Sequence, residues 1–186
     1  DEAFQPDVEE ISKMITSRTK AIVINSPSNP TGAVFSYDVI KEIADLAIER
    51  NLIVISDEAY ERITYENARH ASLASIPEMI HRTISVFTLS KTYAMTGWRI
   101  GYAVADEKII SEMTKLQEHL VAHPSSISQI AAIAALTGPD YCVKKMIEEY
   151  TKRRQIMIRG LSKISSIRFL KPMGAFYIFP NISMFQ

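Results

Sequence analysis

Three short polar strings in this chain carry the side chains that could do chemistry: Asn29-Pro30-Thr31-Gly32, Asp57-Glu58-Ala59-Tyr60 and Thr88-Leu89-Ser90-Lys91. Each directly follows a short apolar run, and Arg99 opens a further run soon after the third. Together they offer a carboxylate, a phenol, an amide, two hydroxyls, a lysine and an arginine. That set suits a phosphorylated, electron-poor aromatic aldehyde. A lysine can form an imine with it, a carboxylate can keep a ring nitrogen protonated, and hydroxyls with an arginine can hold a phosphate dianion.

The elements that must position these groups are legible from periodicity. Residues 21–24, 52–56 and 83–87 are β-branched apolar runs bounded by turn residues, which predicts three strands. Between the first two, residues 37–50 carry Val39, Ile40, Ile43, Leu46 and Ala47 at helical spacing, with Ser36 as N-cap and Asn51 just beyond the end. A strand, a helix and a strand in that order predict a parallel pair with a right-handed crossover. The third strand is expected to join in parallel. Residues 99–105 read as a fourth strand, but the link 88–98 is shorter than the dozen or so residues a parallel crossover needs, so this strand is expected to run antiparallel. In open α/β sheets ligands sit outside the carboxyl ends of the strands, which is where all three strings fall. Downstream, 106–119 reads as an amphipathic helix with Ile109, Ile110, Met113 and Leu116 inward, and 126–136 as a more buried one. A long helix at about 140–164 follows Gly138-Pro139, with Val143, Met146, Ile147, Tyr150, Met157 and Leu161 along one stripe and Cys142 as a packing residue. The tail, 167–179, turns strand-like around Gly174.

Taken singly, each string has an ordinary explanation. Asn-Pro-Thr-Gly is a common turn, an aspartate after a strand can cap a helix, Tyr60 and Trp98 can be core aromatics, and a loop lysine is usually solvated. Their co-occurrence at one sheet edge favours a site. In order and spacing, Asn29-Pro30-Thr31-Gly32, Asp57-x-Ala59-Tyr60 and Thr88-x-Ser90-Lys91, followed by Gly97-Trp98-Arg99-Ile100-Gly101-Tyr102, resemble the signature of the fold-type I, class I/II aminotransferases. Pro172-x-Gly174-Ala175-Phe176-Tyr177 resembles the start of that family's small domain.

The resemblance implies an α/β fold: part of a large domain with a mostly parallel sheet over residues 1–164, and the beginning of a C-terminal small domain over 165–186. It implies pyridoxal 5'-phosphate as cofactor, held as a Schiff base by Lys91, which would also carry the proton of the reaction. Asp57 would pair with the pyridine nitrogen, and Tyr60 and Asn29 would bond the phenolate oxygen. Thr88, Ser90 and Arg99 would hold the phosphate. The Asn29-Pro30 bond is expected to be cis by the same analogy. Amino-acid and 2-oxo-acid substrates, a homodimer and a cytoplasmic enzyme also follow from the likeness. In some dicarboxylate-specific relatives an arginine stands six residues before the proline corresponding to Pro124; here that residue is Glu118, which disfavours that mode of recognition while leaving aspartate open.

Composition excludes other classes. Lysine plus arginine equals aspartate plus glutamate at 21 each, so no field draws the chain to nucleic acid or an anionic membrane. With 47% apolar residues the chain can bury a substantial core, yet no apolar run approaches a membrane span. A lone cysteine forms no internal disulfide, and the four histidines have no metal-ligand spacing, so no metal is expected. The chain starts at Asp1 without a methionine and stops shortly after an apolar run, which reads as a piece of something longer, inactive by itself. Two alternatives stay open: another reaction on the same scaffold, such as C–S lysis or the ring closure of an adenosylated methionine, and an aminotransferase-like sensing domain of a transcriptional regulator with an upstream helix-turn-helix.

Overall fold

The expected strands form as β1 (Ala21–Asn25), β2 (Ile53–Asp57) and β3 (Thr83–Thr88), and the chain returns in β4 (Gly101–Val104). The computed structural model describes residues 3–185; Asp1, Glu2 and Gln186, the outermost residues of the two expected domains, lie outside the described residues. The sheet order is β1-β2-β3-β4, parallel at the first two pairings and antiparallel at the last, as the short link after β3 requires. Asn25 stands opposite Asp57 and Thr88 opposite Gly101, so the ends of β1, β2 and β3 share one edge with the start of β4.

The crossover is α1 (Val8–Met14) followed, after β1, by α2 (Tyr37–Glu49). Ser36 caps α2 by accepting from the Val39 amide at 3.2 Å. Ile40, Ile43, Ala44 and Ala47 pack on Ile24, Val54, Leu73 and Met79. Each fully buried aliphatic side chain contributes about 1.5–3 kcal/mol. Asn51 turns the chain into β2 at φ 51°, a conformation asparagine tolerates better than most residues. The short helix α1 was not anticipated: with seven residues, and acids at Glu9 and Glu10, it offers too little periodicity to detect.

In the helical half the elements fall where expected, but their faces differ. After α3 (Leu89–Thr92) and β4, α4 (Glu107–Val121) begins behind the cap Asp106; Ile109, Ile110 and Met113 are half-buried while Leu116 is exposed. The expectation that the next helix, α5 (Ser126–Thr137), is the more buried one is wrong: Ile127 and Ile130 are 72% and 68% exposed. Only its small-residue face, with Ala131, Ala132 and Ala135, meets Leu89, Met95 and Ile100. Apolar composition reveals that a helix can be buried, not which face has a neighbour. In α6 (Tyr141–Leu161), Val143 is buried and Met146, Ile147 and Tyr150 are half-buried, but Met157 is exposed; Cys142 is exposed too, not packed.

The tail is not the continuous strand-like stretch expected. It contains a two-residue pair, β5 (Arg168–Phe169) with β6 (Pro180–Asn181), and between them a loop that folds onto the sheet edge. There the Met173 and Gly174 amides both donate to Gly32 O at 2.8 Å, and the Ala175 amide to Ile63 O at 2.9 Å. Gly32 has φ 71°, and a Cβ there would collide with Pro172, so glycine is required. Among the described residues no helix is long and apolar enough to cross a membrane.

Candidate functional site

At the end of β2 the Asp57 carboxylate accepts from the Ala59 amide at 3.1 Å, which turns the chain out of the sheet. The bland reading of Asp57 as a turn-former is thus part of the truth, and it leaves the second carboxylate oxygen of this half-buried residue for other partners. Asn25, at the end of β1, donates to Asp57 O at 3.2 Å and accepts from the Asn29 amide at 2.7 Å, tying the first string to the second. The Asn29-Pro30 bond is cis, as expected, and so is Ser26-Pro27; Asn29 itself is exposed.

Tyr60, three residues beyond Asp57, is 3% exposed. Its hydroxyl is hydrogen-bonded to that of Tyr177, and its ring meets Phe176 edge to face at 5.2 Å. Burial pushes the Tyr60 phenol well above its ordinary range, and the contact with Tyr177 and the nearby Asp57 charge push the same way. The residue is a protonated donor across neutral pH.

The third string follows β3 without a gap. Thr88 caps α3, its hydroxyl accepting from the Ser90 amide at 3.1 Å. Leu89 is buried against Met95 and Ile100 and fixes the turn, which leaves Lys91 half-buried with its amine 5.9 Å from the Tyr60 ring centre and 5.6 Å from that of Phe176. Those distances are at the outer range of a cation–π contact, so the rings wall the amine without fixing it. Arg99 is the member that the structure holds apart. It does not open the strand as expected: it sits at φ 50° after a 3-10 turn, exposed, donating to Thr96 O at 2.9 Å. Among the described residues no hydrogen bond joins it to Thr88 or Ser90. β4 starts at Gly101, where a Cβ would strike Phe87 O.

Sequence reasoning missed the groups behind and beside the site. Glu58, 1% exposed, points away from Asp57 into the core, where it accepts from His70 Nε2 at 2.6 Å, Ser72 at 2.9 Å and Ser85 at 2.8 Å. Burial alone would push this carboxyl up, but the His70, Ser85 and Ser72 bonds outweigh it and hold it below its ordinary value. Glu61 is the opposite case: burial pushes it up, Thr92 donates to one oxygen at 3.0 Å, and the other oxygen is buried without a partner. Side-chain alternation past the end of β2 was the available signal for Glu58. Phe176 and Tyr177 lie in a string that was quoted but assigned to the start of another domain.

A mixed sheet whose third strand delivers a lysine to the phenol presented after its second is the architecture of the fold-type I pyridoxal-phosphate enzymes. Comparison with known proteins narrows this. Residues 1–185 match the family model for aminotransferase class I and II. An aspartate aminotransferase of Geobacillus stearothermophilus is 42% identical over 179 residues, covering 96% of this chain and 46% of that protein. One of Pyrococcus abyssi is 45% identical over 181 residues, with 96% and 46% covered. Among solved structures, the aromatic aminotransferase of Pyrococcus horikoshii OT3 superposes with TM-score 0.92 at 45% identity, covering 96% of this chain and 48% of that one. The aspartate aminotransferase of Rhizobium meliloti gives 0.94 at 36% identity, covering 98% and 46%. The chain belongs to the class I and II aminotransferase family, and it spans about half the length of the relatives it matches.

Proposed function

We propose that this chain supplies the cofactor-binding part of an aminotransferase that moves an amino group from an amino acid to a 2-oxo acid on pyridoxal 5'-phosphate. The observation that carries the reading is the placement of the Lys91 amine against the Tyr60 ring, three residues after Asp57, at the carboxyl edge of the sheet. The donor set fits the cofactor: an amine for its aldehyde, an acid for its ring nitrogen, a protonated phenol for its phenolate oxygen, and hydroxyls for its phosphate. When bound, the cofactor supplies an electron sink.

The chain's own residues do the rest. Lys91 holds the cofactor as a Schiff base and, once released, is placed to carry the proton between carbon atoms. Asp57 keeps the ring nitrogen protonated, and Tyr60 and Asn29 donate to the phenolate oxygen. Thr88 and Ser90 present hydroxyls to the phosphate, and Arg99, which uses one of its five donors on Thr96, turns its remaining donors to the same group. Residues 1–164 then form part of the large domain and 165–186 begin the small one. A sheet that is mostly parallel is ordinarily covered on both faces. The exposed Val23, Val86, Tyr102 and Val104 therefore favour a longer protein, a homodimer of the family type, with further chain over this sheet. The neutral charge balance and single cysteine favour a cytoplasmic enzyme that binds neither nucleic acid nor membrane.

The test is product analysis with the purified holoenzyme. A new amino acid formed from an amino-acid and 2-oxo-acid pair, with kcat reduced at least about 10²–10⁴-fold in Lys91→Ala, supports transfer. Ammonia with pyruvate would instead indicate elimination, and undiminished turnover in Lys91→Ala would refute the assignment.

A further inference from the structure

The loop that carries Phe176 and Tyr177 reaches the site from far along the chain, 117 residues beyond Tyr60. Its backbone is pinned there: Gly174 donates to Gly32 O, Ala175 to Ile63 O, and the Tyr65 hydroxyl to Ala175 O at 2.6 Å. The Tyr177 ring meets the Tyr60 ring edge to face at 5.6 Å and leans on Phe176 at 4.9 Å. Half-buried and held on three sides, the Tyr177 hydroxyl is a fixed partner of the Tyr60 hydroxyl and not a passing surface contact.

A phenol has one hydrogen to give and lone pairs to accept with. An anionic oxygen presented to Tyr60 has no hydrogen of its own, so Tyr60 must donate to it. Tyr177 must then donate to the Tyr60 oxygen. Two hydroxyls aligned in that order polarise each other, and the terminal donor is strengthened. The geometry points to Tyr177 as a positioning residue of the reaction: it orients the Tyr60 hydroxyl and increases its donor strength towards the cofactor's phenolate oxygen. This deepens the function proposed above and rests on it. Burial already keeps Tyr60 protonated, so Tyr177 acts on the direction and strength of the bond and not on whether Tyr60 has a hydrogen to give.

The test is a pH titration of the visible absorbance of the cofactor joined to Lys91 in the holoenzyme. When the joining nitrogen loses its proton, the phenolate oxygen loses its internal partner and relies more on Tyr60, so a good donor there lowers the titration midpoint. Tyr60→Phe removes a hydrogen bond to a charged acceptor and is expected to raise the midpoint by about 1–2 pH units. Tyr177→Phe keeps the ring contacts and is expected to raise it by roughly 0.2–0.5 pH units in the native background, the 10–30% share that a cooperative neighbour contributes. In the Tyr60→Phe background it is expected to do nothing, because it acts through Tyr60. No shift in the native background, or an equal shift in both backgrounds, would overturn the inference. Failure of the underlying function looks different: a Lys91→Ala protein that keeps the same pH-dependent band would remove the ground for both.

Discussion

Glu58→Gln isolates one charge behind the site. Both serine hydroxyls donate to the same Glu58 oxygen, Oε1, while His70 donates to Oε2. Glutamine can keep its oxygen towards Ser72 and Ser85, so the substitution exchanges only a charged hydrogen bond for a neutral one, with the His70 ring turned acceptor. The difference between those two kinds of bond is about 1–2 kcal/mol. For a chain of 186 residues, at roughly 2–4 °C per kcal/mol, the melting temperature is expected to fall by about 2–8 °C at neutral pH. The pH dependence carries the sharper test. Glu58 lies below its ordinary value of 4.5 in the folded protein, so the unfolded chain binds its proton more readily. Its stabilising contribution is complete above 4.5 and is lost as the pH falls through the folded value. The gap between native protein and Glu58→Gln should therefore close in acid. Melting followed by circular dichroism at about pH 7 and stepwise below about pH 4.5 measures it. A variant as stable as the native protein at neutral pH, or a gap that widens in acid, would refute the reasoning.

Glu61 should show the opposite sign. Its folded value lies above 4.5, so its contribution is stabilising below 4.5 and is lost as the pH rises through the folded value; Glu61→Gln should gain stability relative to the native protein over that rise, measured by urea denaturation at both ends. Ile43 is fully buried under α2, and Ile43→Ala should cost about 2–5 kcal/mol in the same assay. Arg154 is buried in α6, donating to Pro172 O at 2.7 Å and Glu66 at 3.0 Å with its guanidinium 4.9 Å from the Tyr65 ring; Arg154→Lys cannot keep that set, and should lower stability by about 1–3 kcal/mol. Gly32→Ala should cost about 1–3 kcal/mol, because the new Cβ meets Pro172 at a positive φ.

The sheet was legible because its determinants are local. Three β-branched runs mark β1, β2 and β3, and the brevity of the link after β3 settles the direction of β4. Site residues at strand ends were legible for the same reason, since Asp57, Thr88 and Lys91 directly terminate or follow a recognisable run. Faces were less legible. The isoleucines of α5 look like core until one knows that only its alanine face has a neighbour. Arg99 looked like the first residue of a strand, but the chain uses it at a left-handed turn, and Gly101 begins the pairing. Long-range partners were invisible: nothing near Tyr60 announces Tyr177, and nothing near Glu58 announces that a histidine and two serines will neutralise and bury it.

The central claim is that Lys91 is the amine that takes up the cofactor. Adding pyridoxal phosphate, reducing with borohydride and mapping the pyridoxyl adduct by peptide mass addresses it most directly. The expected result is a single adduct on Lys91 that disappears in Lys91→Ala. Labelling scattered over several lysines, or unchanged in the variant, would contradict it.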